Sequence, residues 1–354
     1  MANNGKFTGY VGTYTKGASE GIYSFTLDIR AKKISEVRIA AKIDNPTYLT
    51  ISNNQQYLYS VAKVDDLGGV IAYVVNGQGE LQEINRQLTE GAPPCHVSVD
   101  AENHYLLSAN YHKGTMDAYS LQDNDGGIAP KPSTAKHQGS GPDKRQEKAH
   151  THYAGFTPDE KYIVAIDLGI DKLITYEISA QGTLSEVARL DIKPGSGPRH
   201  LAFHPNGYIA YCLTEFSSEV LSLQYNAETG SFTEIQTIST LPTNFTENNQ
   251  GSAIHLSADG RFLYAGNRGH NSIAVFSVNQ ETWQLDFIEH TSTEGNWPRD
   301  FVLDPSEAFI VAANQESSNL VLFSRDATTG RLALEQIDIA IPDPVCIKFS
   351  QKKG

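Results

Sequence analysis

The chain of 354 residues carries 28 Lys and Arg against 41 Asp and Glu, a formal net charge of −13 and a pI near 5.3. A surface of that sign repels phosphate backbones and anionic lipid, which argues against nucleic-acid and membrane partners and makes any anionic small molecule depend on a local basic cluster. No long apolar run occurs, and the start MANNGKFTGY has neither a basic nor an apolar segment, so the expectation is a cytoplasmic chain, a monomer or a weak homo-oligomer.

In chain order, the first 40 or so residues hold three strand-like runs, FTGYVGTY, GIYSFTLD and ISEVRIA. Then a unit repeats. The segments PTYLTIS, PCHVSVD, THYAGFT, PRHLAFH, GSAIHLS, PRDFVLD and PVCIKFS begin at residues 46, 94, 151, 198, 251, 298 and 344. Each is an alternating apolar run, and most are closed by a polar turn and followed by a second run such as YIAYCLT or RFLYAGN. In the copy that starts at Pro198, RHLAFH reads as strand A, YIAYCLTE as B, EVLSLQYN as C and SFTEIQTIS as D, with turn signals between them. A period of 46 to 57 residues with four short strands per copy predicts an all-β, seven-bladed β-propeller of antiparallel four-stranded blades. The expected domain is a single one over residues 1–354.

The last copy supplies only strand A, and the first 40 residues supply three strands without one. Residues 6–40 plus 344–350 are therefore expected to complete one blade, which removes the sheet edges an open array would expose. The longest spacing marks an insertion between Gln122 and Lys148, rich in Gly, Pro and Lys and read as a solvated loop. A shorter one, LPTNFTENNQ, occupies 241–250. Both fall in D-to-A connections, hence on one face, and loops elaborated on one face mark a working face. Cys95, Cys212 and Cys346, odd in number and without a CxxC pair, read as reduced packing thiols.

Strand A leaves that face and strand B returns to it, so two rings of residues are expected at one mouth. The residue after each repeat start gives Thr47, Cys95, His152, Arg199, Ser252, Arg299 and Val345. The residue 17 positions after each repeat start gives Lys63, Tyr111, Leu168, Glu215, Arg268 and Gln315, with Tyr14 in the blade closed by the N-terminal strands. Four of these 14 positions are Lys or Arg where the chain average of 28 in 354 gives roughly one, and Glu215 is the one carboxylate. Guanidinium forks suit carboxylate or phosphate oxygens, a carboxylate beside them can act as a base, and His152 can move a proton near neutral pH. Together they suit attack on a carbonyl of an anionic substrate.

Blander alternatives exist for each. Arg199 could pair with Glu215 only to satisfy buried charge, and His150 and His152 could form a metal pair, although the rings offer no carboxylates to complete one. His204 and His255 read as structural. Asn110, Asn267 and Asn314, one residue before the second ring, read as turn formers. No metal and no cofactor is expected.

The stretches GPRHLAFHPNGYIAYCLTE, SAIHLSADGRFLYAGNRGHNSIAVF and PRDFVLDPSEAFIVAANQESSNLVLF resemble the lactonase family of seven-bladed propellers, as do GYVGTYTKGASEGIYSF and HTHYAGFTPDEKYIVAIDLG. The family's best-known activity is 6-phosphogluconolactonase, and a fungal carboxy-muconate cyclase is related to it. The resemblance implies a carboxylic ester hydrolase of the oxidative pentose phosphate pathway. It places a central-cleft His on His152, two Arg on Arg199 and Arg268 and a Glu on Glu215, with Gln315 at another recurrent position. Arg299, Lys63, Gln315 and Tyr111 are the expected substrate-binding residues. A cycloisomerase acting on a dicarboxylate and a non-catalytic binding propeller are the competing readings.

Overall fold

The computed structural model describes residues 5–76 and 79–350. Its strands form seven sheets of four antiparallel strands each, packed in a ring, and no helix is present among the described residues. With blades numbered along the chain, strand A spans Leu49–Ile51, His96–Val99, Thr151–Phe156, Pro198–Phe203, Gln250–Leu256, Pro298–Leu303 and Pro344–Phe349. Strand B spans Tyr57–Val64, Tyr105–Asn110, Ile163–Asp167, Ile209–Thr214, Phe262–Arg268, Phe309–Asn314 and, in blade 7, Lys6–Thr13. Blade 7 joins Pro344–Phe349 to Lys6–Thr13, with Tyr10 opposite Lys348 and Val11 opposite Ile347.

The burial pattern follows from position in the ring. Inner strands are covered on both faces by neighbouring blades, so IAYCLT of blade 4 is buried throughout. The outermost strands face water on one side, and SFTEIQTIS accordingly mixes exposed polar with buried residues. The cores lie between blades rather than in one centre. Val311, Leu320, Phe25 and Ile347 join blade 6 to blade 7, and Tyr10, Ile22, Leu58 and Ile71 join blade 7 to blade 1. A tyrosine clasp recurs at these joints. The hydroxyls of Tyr10, Tyr59, Tyr211 and Tyr264 donate to the carbonyls of Gly79, Gly126, Trp283 and Gly330 in the next blade, at 2.9 to 3.1 Å. Each phenol thus fills an inter-blade core without leaving a buried hydroxyl unsatisfied.

The insertion between Gln122 and Lys148 departs from the expected loop. Leu121 bridges Ile128, which is fully buried, and Ser133–Lys136 forms the outer strand of blade 2 against Thr115–Ala118. Polar composition concealed this strand because three of its four side chains come from Ser, Thr and Lys on an outer edge. Beyond it the chain returns to the rim: Gln146 is buried and donates to the Leu168 carbonyl, and Arg145 lies 3.8 Å from the Phe216 ring centre.

Candidate active site

The site is built on a defect that recurs in strand A. In blades 3, 4 and 6 the ladder skips a residue: Thr151 faces Asp167 and Tyr153 faces Ile166, Pro198 faces Thr214 and His200 faces Leu213, and Pro298 faces Asn314 and Asp300 faces Ala313. The unpaired residues are His152, Arg199 and Arg299. Blade 7 slips likewise at Val345 and blade 5 between Gly251 and Ile254. A β-bulge re-aims side chains and is common beside active sites. Here it turns two consecutive residues of each strand toward the ring axis instead of one.

The upper residues open into a cavity of about 950 Å³, a size suited to a small metabolite. It is lined by Tyr14, Thr47, Lys63, Cys95, Tyr111, His152, Glu215, Arg268 and Arg299 from the two rings, with Asn45 and Gly91–Pro94 from D-to-A connections and Gln250 from the start of strand A in blade 5. Glu215 follows strand B of blade 4. Its amide donates to the Gly197 carbonyl at 2.6 Å and its carbonyl accepts from Gly251. Gly197 has φ +62°, and a Cβ there would lie 2.4 Å from the Phe216 ring, so only glycine lets the two segments approach. Asp171 holds the same turn by accepting from the amides of Gly195 and Gly197 at 2.7 Å.

The Glu215 carboxylate is clamped on one oxygen. Arg199 Nε donates to Oε2 at 3.0 Å and Arg268 Nη2 donates to the same atom at 2.7 Å. No protein hydrogen bond among the described residues reaches Oε1. Burial pushes this carboxyl up, but the guanidiniums of Arg268 and Arg199 outweigh it and hold it below the usual carboxylate range. Arg199 is spent on protein acceptors: Nη1 also donates to the Ser252 carbonyl and to His200 Nε2. Arg268 Nη2 donates to the Gly251 carbonyl as well, and the guanidinium lies 5.7 Å from the Trp297 ring centre. Across from the clamp, burial, reinforced by Arg199, Arg299 and Arg268, holds the His152 imidazole well below the usual histidine range. It is neutral at neutral pH, and its Nδ1 is buried without a partner, which leaves Nε2 for the cavity.

Residues 8–349 match the model of the family described as lactonase, 7-bladed beta-propeller. This chain is a member of that lactonase family. The 6-phosphogluconolactonase of Bacillus subtilis (strain 168) is 55% identical over 345 residues, 97% of this chain and 98% of that one. Among solved structures, a protein from Lactobacillus plantarum superposes with a TM-score of 0.93 at 43% identity, covering 97% of this chain and 99% of its own. The periplasmic gluconolactonase of Pseudomonas aeruginosa gives a TM-score of 0.92 at 33% identity, covering 98% of this chain and 99% of that chain.

In this lactonase fold, His152, Glu215 and Arg268 meet in the cavity, which Lys63, Tyr111 and Arg299 also line. Arg199 does not line it; it is buried behind Glu215 and reaches a narrow crevice shared with Tyr14, His200 and Arg299. Gln315 is buried and absent from the cavity lining, with its backbone N–H donating to the Trp297 carbonyl. The single-carboxylate expectation holds for the rings but not for the cavity, because Asp66, from the turn after Tyr57–Val64, and Glu90, at the end of strand Leu81–Glu90, reach its rim from outside them. The bulge lies between Thr151 and Tyr153, at His152: His150 stacks on Tyr111 with ring centres 4.1 Å apart and bonds Glu147 through Nε2, and His152 meets the same Tyr111 ring edge-on at 6.2 Å. Among the described residues no group of three or more His, Cys, Asp or Glu side chains is placed to hold a metal.

The three Asn residues do more than form turns. Asn110, Asn267 and Asn314 donate to the carbonyls of Ala92, Thr240 and Thr293, clipping each D-to-A connection to the end of strand B. A lower level of side chains escaped the ring reasoning altogether. Tyr48, His96, Tyr153 and His200 touch one another around the axis, with ring centres 4.4 to 6.0 Å apart, directly beneath the clamp. Each sits two residues after its repeat start, and four aromatic or imidazole residues at that one register were the available signal.

Proposed function

We propose that this chain is a 6-phosphogluconolactonase, opening 6-phosphoglucono-1,5-lactone to 6-phosphogluconate. The observation that carries the reading is the Glu215 carboxylate clamped on Oε2 by two buried guanidiniums, with Oε1 free toward a cavity that also presents a neutral imidazole. The names of the Bacillus subtilis and Pseudomonas aeruginosa relatives support the substrate class.

In this reading the lactone carbonyl lies against Arg268, whose charge stabilises the oxyanion that develops as water attacks C1. Glu215 Oε1 takes a proton from that water, and His152 Nε2 orients it from the facing wall. Collapse of the tetrahedral intermediate breaks the bond from C1 to the ring oxygen, and Glu215 returns the proton to that oxygen. A carboxyl held low by two arginines is a ready donor in this second step. Arg199 acts through Glu215, fixing its rotamer, rather than on substrate. Tyr111 supplies an apolar wall.

The enzyme is proposed to work in the cytoplasm as a monomer or weak homo-oligomer. The test is hydrolysis of freshly generated 6-phosphoglucono-1,5-lactone in the presence of EDTA, corrected for spontaneous opening. Turnover above background supports the reading. A background rate, with conversion of a muconate instead, replaces it by the cycloisomerase.

A further inference from the structure

The cavity has a second charged region, and its charges are not spent. Arg299, Tyr14, Thr47 and Lys63 come from blades 6, 7 and 1, which are consecutive in the ring, while the clamp occupies blades 4 and 5 with His152 on blade 3. Neither Arg299 nor Lys63 forms an ion pair with a carboxylate among the described residues, although Arg199 and Arg268 both do. Arg299 is held instead by the Tyr14 ring, with its guanidinium carbon 5.4 Å from the ring centre. Stacking on an aromatic face orients the planar fork and leaves its N–H groups for a ligand. Among the described residues no hydrogen bond engages the hydroxyls of Tyr14 and Thr47, two residues that line the same cavity.

Two unpaired cations and two free hydroxyls on adjacent blades form a set of donors without an acceptor. In a chain of net charge −13, carboxylates to pair with them are plentiful, yet Asp66 and Glu90 stay at the exposed rim without bonding either cation. Unpaired charge facing a cavity is costly unless a ligand of opposite charge completes it. A tetrahedral phosphate monoester, carrying close to two negative charges and three acceptor oxygens, matches that donor set.

We propose that Arg299, Lys63, Tyr14 and Thr47 form the subsite for the phosphate of a phosphorylated sugar lactone, separate from the groups that open the ring. The inference rests on the lactonase reading above and adds which wall reads the phosphate. Its consequence is selectivity: the arc binds the charged end of the substrate, so phosphorylated lactones are preferred over neutral ones. The carbonyl then falls toward Arg268 and Glu215 across the cavity.

The experiment pairs binding with turnover. Calorimetry of the intact wild-type protein with 6-phosphogluconate and with gluconate reads the subsite without chemistry, and the phosphorylated acid should bind at least about tenfold more tightly. In Lys63→Gln and Arg299→Gln, each checked for folding by circular dichroism, that ratio should fall toward one. In turnover, the loss in kcat/KM on 6-phosphoglucono-1,5-lactone should exceed the loss on glucono-1,5-lactone by about tenfold. Equal losses on both lactones would assign these side chains to ring opening and overturn the subsite. A wild-type protein that binds both acids equally would overturn it too, even if it is a lactonase. A protein that prefers 6-phosphogluconate but hydrolyses neither lactone would keep the subsite and sink the lactonase reading.

Discussion

The two sides of the cavity hold the same kinds of side chain in opposite electrostatic states. On blades 4 and 5, Arg199 and Arg268 share one oxygen of Glu215 and are nearly inaccessible. On blades 6, 7 and 1, Arg299 and Lys63 are half-buried and, among the described residues, bonded to no carboxylate. Paired guanidiniums fix a geometry; unpaired ones wait for an anion. A ring of basic residues read from sequence therefore divides by function only when the pairing is known.

The largest effect that would break this comparison is on turnover. Glu215→Gln keeps the shape but removes the base, and kcat should fall by about a thousandfold or more in a steady-state lactone assay. A rate within tenfold of wild type would mean that the clamped carboxylate is only structural.

A second contrast is in stability. Glu215→Ala leaves two buried guanidiniums without their counter-charge and should lose about 3 kcal/mol in urea unfolding. Lys63→Gln removes an unpaired charge and should change stability by no more than about 0.5 kcal/mol, in either direction. Equal destabilisation would show that Lys63 has a partner and that the division is false.

The smallest effect sharpens how the two sides talk. Arg299 helps to depress both His152 and Glu215, so both stay in their basic, deprotonated forms at pH values below their ordinary pKa. Activity should accordingly fall only well below about pH 6.5 as acid is added. Arg299→Gln removes a positive charge, raises both pKa values and moves the acidic limb of kcat/KM to higher pH, by less than about one unit. An unmoved limb would place Arg299 too far away to matter.

Much of this was legible before any coordinates, for a physical reason. A propeller repeats one unit, so strand limits carry over from copy to copy: the segments read for the Pro198 copy match Pro198–Phe203, Ile209–Thr214, Glu219–Asn226 and Ser231–Ser239 within two residues. Closure of blade 7 followed from an unmatched strand at each end. The rings placed Glu215, Arg268, His152, Arg299 and Lys63 at one mouth because they required only strand direction.

Three things were not legible. Strict alternation cannot foresee a bulge, so it offers His150 and His152 as a metal pair and misses the level formed by Tyr48, His96, Tyr153 and His200. Strand Ser133–Lys136 is an outer edge whose polar residues satisfy water rather than a core. The committed state of Arg199 depends on Ser252 and His200, acceptors that only the folded blades bring together.

The bulged strands carry a further implication for traffic. In blades 3 and 4 the residues after the bulge, Tyr153 and His200, pack ring against ring with Tyr48 and His96 and form an aromatic floor beneath the cavity. The cavity of about 950 Å³, bordered by Pro94 and Gln250, has room for one small metabolite, so reactant and product share it. Departure of one molecule has to precede arrival of the next, so lingering product competes directly with fresh reactant.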